Sequence, residues 1–118
     1  MNELMAVLFL SRDIAHKAHL ATDSYSQHIA LGSFYDEIVD LADSLAETYQ
    51  GRTGEVLDIP MMEDEPGGDI VADLKKYQDY IEQNRYKAVA KEDTPIQNII
   101  DEVVSLYLTT RYKLTRLK

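Results

Sequence analysis

The sequence predicts an all-α protein, a four-helix bundle in which the second and third helices are joined by a long crossover. Three observations predict it. Apolar residues recur at three- and four-residue spacing in four separate segments. The connections between those segments are short, long and short in turn. Segment starts carry helix-capping residues at Ser24, Asp69 and Thr94-Pro95. At 118 residues the chain suits one domain with a single core, and 45% hydrophobic with 28% charged residues is the composition of a folded chain.

The first helix is predicted over residues 2–21, because Leu4, Val7, Leu8, Ile14, Ala15 and Ala18 share one side. Met5, Phe9 and Leu20 form a second apolar strip about 100 to 160° around the same helix, which suggests a further contact such as a subunit interface. Thr22-Asp23-Ser24 breaks the pattern. Ser24 with Gln27 reads as a capping box for the second helix, residues 24–50, whose apolar stripe is Leu31, Phe34, Ile38, Leu41 and Leu45 and whose stop is Gly51. Asp36, Asp40, Asp43 and Glu47 form an acidic stripe on its other side.

Residues 51–68 hold Gly51, Gly54, Gly67, Gly68, Pro60, Pro66 and the acidic run Glu63-Asp64-Glu65, so they read as a connection, with an extended piece over Val56 to Ile59. Antiparallel neighbours in an up-and-down bundle need only about 2 to 8 connecting residues, so this length favours a crossover between parallel helices. The third helix, residues 69–87, is capped by Asp69 and turns Ile70, Leu74, Tyr77 and Ile81 inward. The fourth, residues 94–115, starts with Thr94 as cap, Pro95 in the first turn and Gln97 as box partner, and buries Ile96, Ile99, Ile100, Val103, Tyr107 and Leu114.

Composition excludes several function classes. The chain has no cysteine, hence no disulfide framework, thiolate metal site or cysteine nucleophile, and the cytoplasm is the expected compartment. A formal charge of −9 argues against nucleic-acid binding, which needs a basic surface. The one basic concentration, Arg111, Lys113, Arg116 and Lys118, reads as cations at a helix C-terminus. No apolar stretch approaches the roughly 20 residues that span a bilayer. No nucleophile with an adjacent base and no phosphate-binding glycine loop is visible, so no catalytic or cofactor-binding residue is assigned. Glu63-Asp64-Glu65 lacks the ligand spacing of a calcium loop and reads as a solvated turn. Tyr77, Tyr80 and Tyr107 read as core.

The remaining constellation is His16, His19 and His28 around the first interhelical turn, followed by Asp43 and Glu47 at a spacing of four. Imidazole and carboxylate together suit iron, zinc or manganese. Read without a metal, the same residues are hydrogen-bonded histidines at a helix end and a solvated acidic face.

These residues resemble those of the mini-ferritins, the Dps-like members of the ferritin-like superfamily, which oxidise and store iron. The shared pattern is a histidine ending the first helix, a second early in the next, and Asp-x-x-x-Glu in a run similar to Asp43-Ser44-Leu45-Ala46-Glu47. The resemblance implies a ferritin-like bundle, an iron site at a two-fold interface between subunits, and therefore at least a dimer. Carried over, His28 matches the second histidine, Asp43 and Glu47 match the acidic pair, and either His16 or His19 matches the first histidine. The family's aspartate four residues after the second histidine is Gly32 here; Asp36, about 80° further round, is the nearby substitute.

A second likeness is closer in wording. Small ferritin-like proteins of tailed phages resemble this chain through Ser24-Tyr25-Ser26-Gln27-His28-Ile29-Ala30-Leu31-Gly32, Phe34-Tyr35-Asp36-Glu37 and Glu47-Thr48-Tyr49-Gln50-Gly51. It implies a phage-encoded protein of the host cytoplasm and carries no activity with it. Two functional expectations follow: iron binding or oxidation at a dimer interface, or a non-enzymatic helical binding module that engages a host protein or sequesters a small ligand.

Overall fold

The computed structural model describes residues 1–118 and consists of four α-helices without strands: α1 (Asn2–Ala21), α2 (Tyr25–Thr53), α3 (Ile70–Ala88) and α4 (Thr94–Arg116). Helix α1 packs on α2 and α3, and α4 packs on the same two, so α1 and α4 face each other across one diagonal and α2 and α3 across the other. Their apolar stripes merge into one cluster of 24 buried residues. No helix is long and apolar enough to cross a membrane.

The direction of each helix follows from contacts at the two ends. His19 in the last turn of α1 meets His28 in the first turn of α2, so these helices are antiparallel. At the opposite end the Asn2 side chain accepts the Asp58 N–H at 3.2 Å, and the Tyr80 hydroxyl donates to Glu3 at 3.3 Å. Arg52, at the end of α2, pairs with Asp93 just before α4 at 3.0 Å. The connection finally reaches Asp69 beside Ala18, Ala21 and Gln27, back at the first end. It has therefore travelled the length of the bundle, and α2 and α3 run parallel, as its length predicts.

Local chemistry sets most helix ends. The Ser24 hydroxyl accepts the Gln27 N–H at 3.3 Å, and Asp69 accepts from Val71 and Ala72. Four end predictions need correction. Gly51 does not stop α2; the helix continues to Thr53 and closes at Gly54, whose φ of 74° is the left-handed conformation that glycine adopts without strain. Thr94 is the first residue of α4, and Asp93 precedes it as cap residue without a side-chain cap bond, its carboxylate being held by Arg52. Gln97 is not a box partner but is buried under Arg85. Within the α1–α2 turn the Gln27 side chain likewise turns away from the Ser24 N–H and accepts from the Thr22 hydroxyl instead.

One further expectation changes. Met5 of the second apolar strip is fully buried in this chain's own core, whereas Phe9 and Leu20 stay exposed. Val56 to Ile59 lie outside any helix: the Leu57 N–H donates to Gln50 Oε1 at 2.9 Å, the Asp58 N–H to Asn2, and Leu57 and Ile59 rest on the core.

The acidic run is exposed, as expected, and Asp64 within it is also an anchor. Asp64 accepts from the Lys76 ammonium and, at 2.7 Å, from the Tyr77 hydroxyl, tying the connection to α3. The bond from Lys76, then that from Tyr77, holds the Asp64 carboxyl below its usual value of 3.8. A carboxylate with a depressed folded value contributes fully above its unfolded value and less as pH falls through the folded one. The tie is thus complete at neutral pH and weakens only below about pH 4. We predict that Asp64→Asn accelerates cleavage after Glu63 by a glutamate-specific protease several-fold at pH 7; an unchanged cleavage rate would show that Asp64 does not hold the connection.

Candidate functional site

The centre of the bundle holds no ionisable cluster. Tyr107 is fully buried, 5.3 Å from Phe34 between ring centres, and donates to Ser11 at 2.6 Å while Ser11 donates to the Val7 carbonyl at 2.8 Å. Burial pushes the Tyr107 phenol well above its usual value of 10, so it stays neutral. The only buried carboxylate is Asp73, and it accepts the Gly67 N–H at the end of the connection. Chemistry has to be sought on the surface.

The histidines gather at the α1–α2 junction. His19 Nδ1 lies 2.6 Å from the His28 carbonyl oxygen, and His28 Nδ1 lies 2.9 Å from that of His19. Carbonyls only accept, so Nδ1 carries the proton in both rings, and Nε2 is the atom that this exchange leaves unused. The two rings stack at 3.7 Å, and His16 stacks on Tyr35 at 4.2 Å. Tyr35 in turn presents its edge to His19 at 5.2 Å.

Gly32 belongs to this packing. A Cβ at that position would stand 3.1 Å from His19 Cε1 and 3.3 Å from its Nδ1. The side-chain space where the resembling family carries an aspartate is therefore filled by the His19 ring. Sequence reasoning registers the missing aspartate but not the reason, since the neighbour lies across the turn.

The carboxylates stand elsewhere. Asp36, Asp43 and Glu47 are exposed on α2, about 12, 22 and 28 Å along the helix from His28 at 1.5 Å per residue. No three side chains among histidine, aspartate and glutamate come together as a metal-binding group. Of the six candidate ligands, the structure joins His16, His19 and His28 and leaves the three acids apart, so one protomer alone does not supply a mixed ligand set.

A feature that sequence reasoning glimpsed only in part is the outer face of α1 and α2. A groove of about 410 Å³ runs beside the α1–α2 seam, walled by Phe9, Leu10, Val39 and Ala42, closed on one side by Pro60, Met61 and Met62 of the connection, and edged by Arg12, Asp13 and Asp43. Phe9 and Met61, two of the ten exposed large apolar side chains, line the groove; by helical spacing Leu20 shares the side of α1 that carries Phe9, and Tyr25 and Ile29 the side of α2 that carries Asp43, toward the other end of the seam. The second apolar strip on the first helix is the signal that points to it; Tyr25, Ile29 and Met61 carry no such periodic mark.

Comparison with known proteins places these residues in context. Residues 19–114 match the family of unknown function DUF5856. Over 115 residues the chain is 29% identical to an uncharacterized 14.6 kDa protein of the mobD-ri intergenic region of Enterobacteria phage T4, covering 97% of this chain and 87% of that one. No solved structure matches.

Proposed function

The chain belongs to the DUF5856 family, and from that premise we propose that it is a phage-encoded binding module that docks another macromolecule on its α1–α2 face. The observation that carries this reading is the open apolar groove lined by the exposed Phe9 and Met61, with Leu20, Tyr25 and Ile29 further along the same side of the two helices. The groove is lined mainly by apolar side chains and rimmed by Arg12, Asp13 and Asp43, and an open apolar patch with a polar rim marks an interaction site. The host cytoplasm, where a phage-encoded chain is made, is the compartment we infer. The test is to replace Phe9→Ser with Leu20→Asp in the encoding phage, using Tyr112→Asp on α4 as an equally exposed control. Loss of a specific co-purifying host protein and of phage yield is expected for the first pair only. Equal behaviour of the face variant, the control and wild type would sink the reading.

A ferritin-like protein that binds or oxidises iron is the second reading. Two observations favour it: the crossover between parallel helices, and imidazoles oriented through Nδ1–H bonds to carbonyls, the arrangement that prepares Nε2 for a metal. It requires a two-fold copy to bring Asp43 and Glu47 to the histidines, because they do not meet within one chain. Metal analysis of protein from iron-rich medium separates the two: bound iron lost in His28→Ala and Glu47→Ala supports this reading, and equally little iron in all three rejects it.

A further inference from the structure

We infer that the occupant of the α1–α2 face is a cationic amphipathic helix of a partner protein, its apolar side in the groove and its lysines or arginines against the carboxylates of α2. This rests on the docking reading above and adds the chemistry of the partner.

The charge distribution singles out one sign. Between Tyr25 and Gly51 the sequence has five carboxylates, Asp36, Glu37, Asp40, Asp43 and Glu47, and no lysine or arginine. Not one of them joins an ion pair, although Asp64, Asp79, Asp93 and Asp101 on other elements are each paired. The only cation edging the groove, Arg12, stands 3.7 Å from Asp13. At 100° per residue, Tyr25, Ile29, Asp36, Asp43 and Glu47 fall within about 40° of one another around α2. Apolar anchors and unpaired carboxylates thus share one strip, and a partner that covers the anchors must answer the charge.

A second copy of the chain answers it poorly. The copy's groove carries only Arg12, already beside Asp13, and the chain has 21 carboxylates against 12 lysines and arginines, so a second copy brings little positive charge to the strip. A basic partner gains from both the strip and the net charge of −9, which speeds its approach. Shape points to a helix. Phe9 and Leu20, at the two ends of the exposed α1 strip, are about 16 Å apart along the axis, three turns of a helix laid alongside, which is the helix-in-groove mode of recognition.

The experiment titrates the full-length protein with three labelled peptides of about 18 residues, read by fluorescence anisotropy. One is amphipathic with leucine on one face and lysine on the other, the second has glutamate in place of lysine, and the third is a scrambled leucine–lysine sequence. The patterned lysine peptide is expected to bind tightest. Asp43→Asn with Glu47→Gln should weaken it about tenfold, against less than about twofold for Glu82→Gln with Glu92→Gln, which changes the net charge equally elsewhere. Equal weakening by both pairs, or equal binding of the scrambled peptide, would show attraction by overall charge alone and overturn the inference. Preferential binding of the glutamate peptide that Phe9→Ser abolishes would overturn it and leave the docking reading standing. Insensitivity of every peptide to Phe9→Ser with Leu20→Asp would remove both.

Discussion

Replacing Arg85 by alanine is expected to cost about 2–4 kcal/mol of unfolding free energy and to lower the melting temperature by on the order of 10 °C. Arg85 is 8% exposed and Gln97 5% exposed. The guanidinium donates from Nε to Gln97 Oε1 and from Nη2 to the Gln97 carbonyl, each at 2.9 Å, and the Gln97 amide passes on to the Val89 carbonyl at 3.2 Å. Alanine would leave the buried Gln97 Oε1 without a donor, the expensive kind of loss, and take a second donor from the Gln97 carbonyl. The third bond, to Asp101 at 2.7 Å, adds little because that carboxylate is 62% exposed. The double change Arg85→Met with Gln97→Leu removes both ends of the network and is expected to cost less than Arg85→Ala alone. Urea unfolding followed by circular dichroism decides it, and a single-variant cost below about 1 kcal/mol would show that the network contributes little.

Gly32→Asp, which restores the residue of the resembling family, is expected to destabilise the fold by about 2–3 kcal/mol. The new Cβ would stand 3.1 Å from His19 Cε1, so the imidazole must give way by a few tenths of an ångström, and the carboxylate beyond the Cβ further crowds the ring and its 2.6 Å bond to the His28 carbonyl. The same cause predicts a rescue. In a His19→Ala background, Gly32→Ala should stabilise by about 0.5–1 kcal/mol, the ordinary gain of alanine over glycine inside a helix. With His19 present that gain should shrink or reverse. Thermal unfolding of the four variants closes the cycle, and additive effects would show that glycine is not there to admit the histidine.

How far the sequence reveals this depends on how local the physics is. Ser24 and Asp69 act on amides two or three residues away, so their caps are readable from their own segments. The short, long and short connections are equally legible and give the crossover. Gly51 misleads because a glycine can be accommodated within a helix, while the end falls where Gly54 turns left-handed. Gln97 misleads because a capping box and a buried partner for Arg85 look identical until α3 is packed beside α4. The three histidines are legible as a group. Their reciprocal bonds are not, because periodicity reports a face and not what stands opposite it. The same blindness hides the groove, one wall of which comes from Pro60, Met61 and Met62 in a stretch without regular pattern.

The exchange of bonds between His19 and His28 also bears on the order of assembly. It joins residues nine apart in sequence, so the chain entropy lost in closing it is small. Docking α3 onto α1 instead requires contacts such as Tyr80 with Glu3, 77 residues apart, which form late in a search dominated by nearby encounters. The α1–α2 hairpin is accordingly expected to form before the other pair arrives. The α1 and α2 walls of the face we assign to a partner would then stand before Pro60, Met61 and Met62 close the groove.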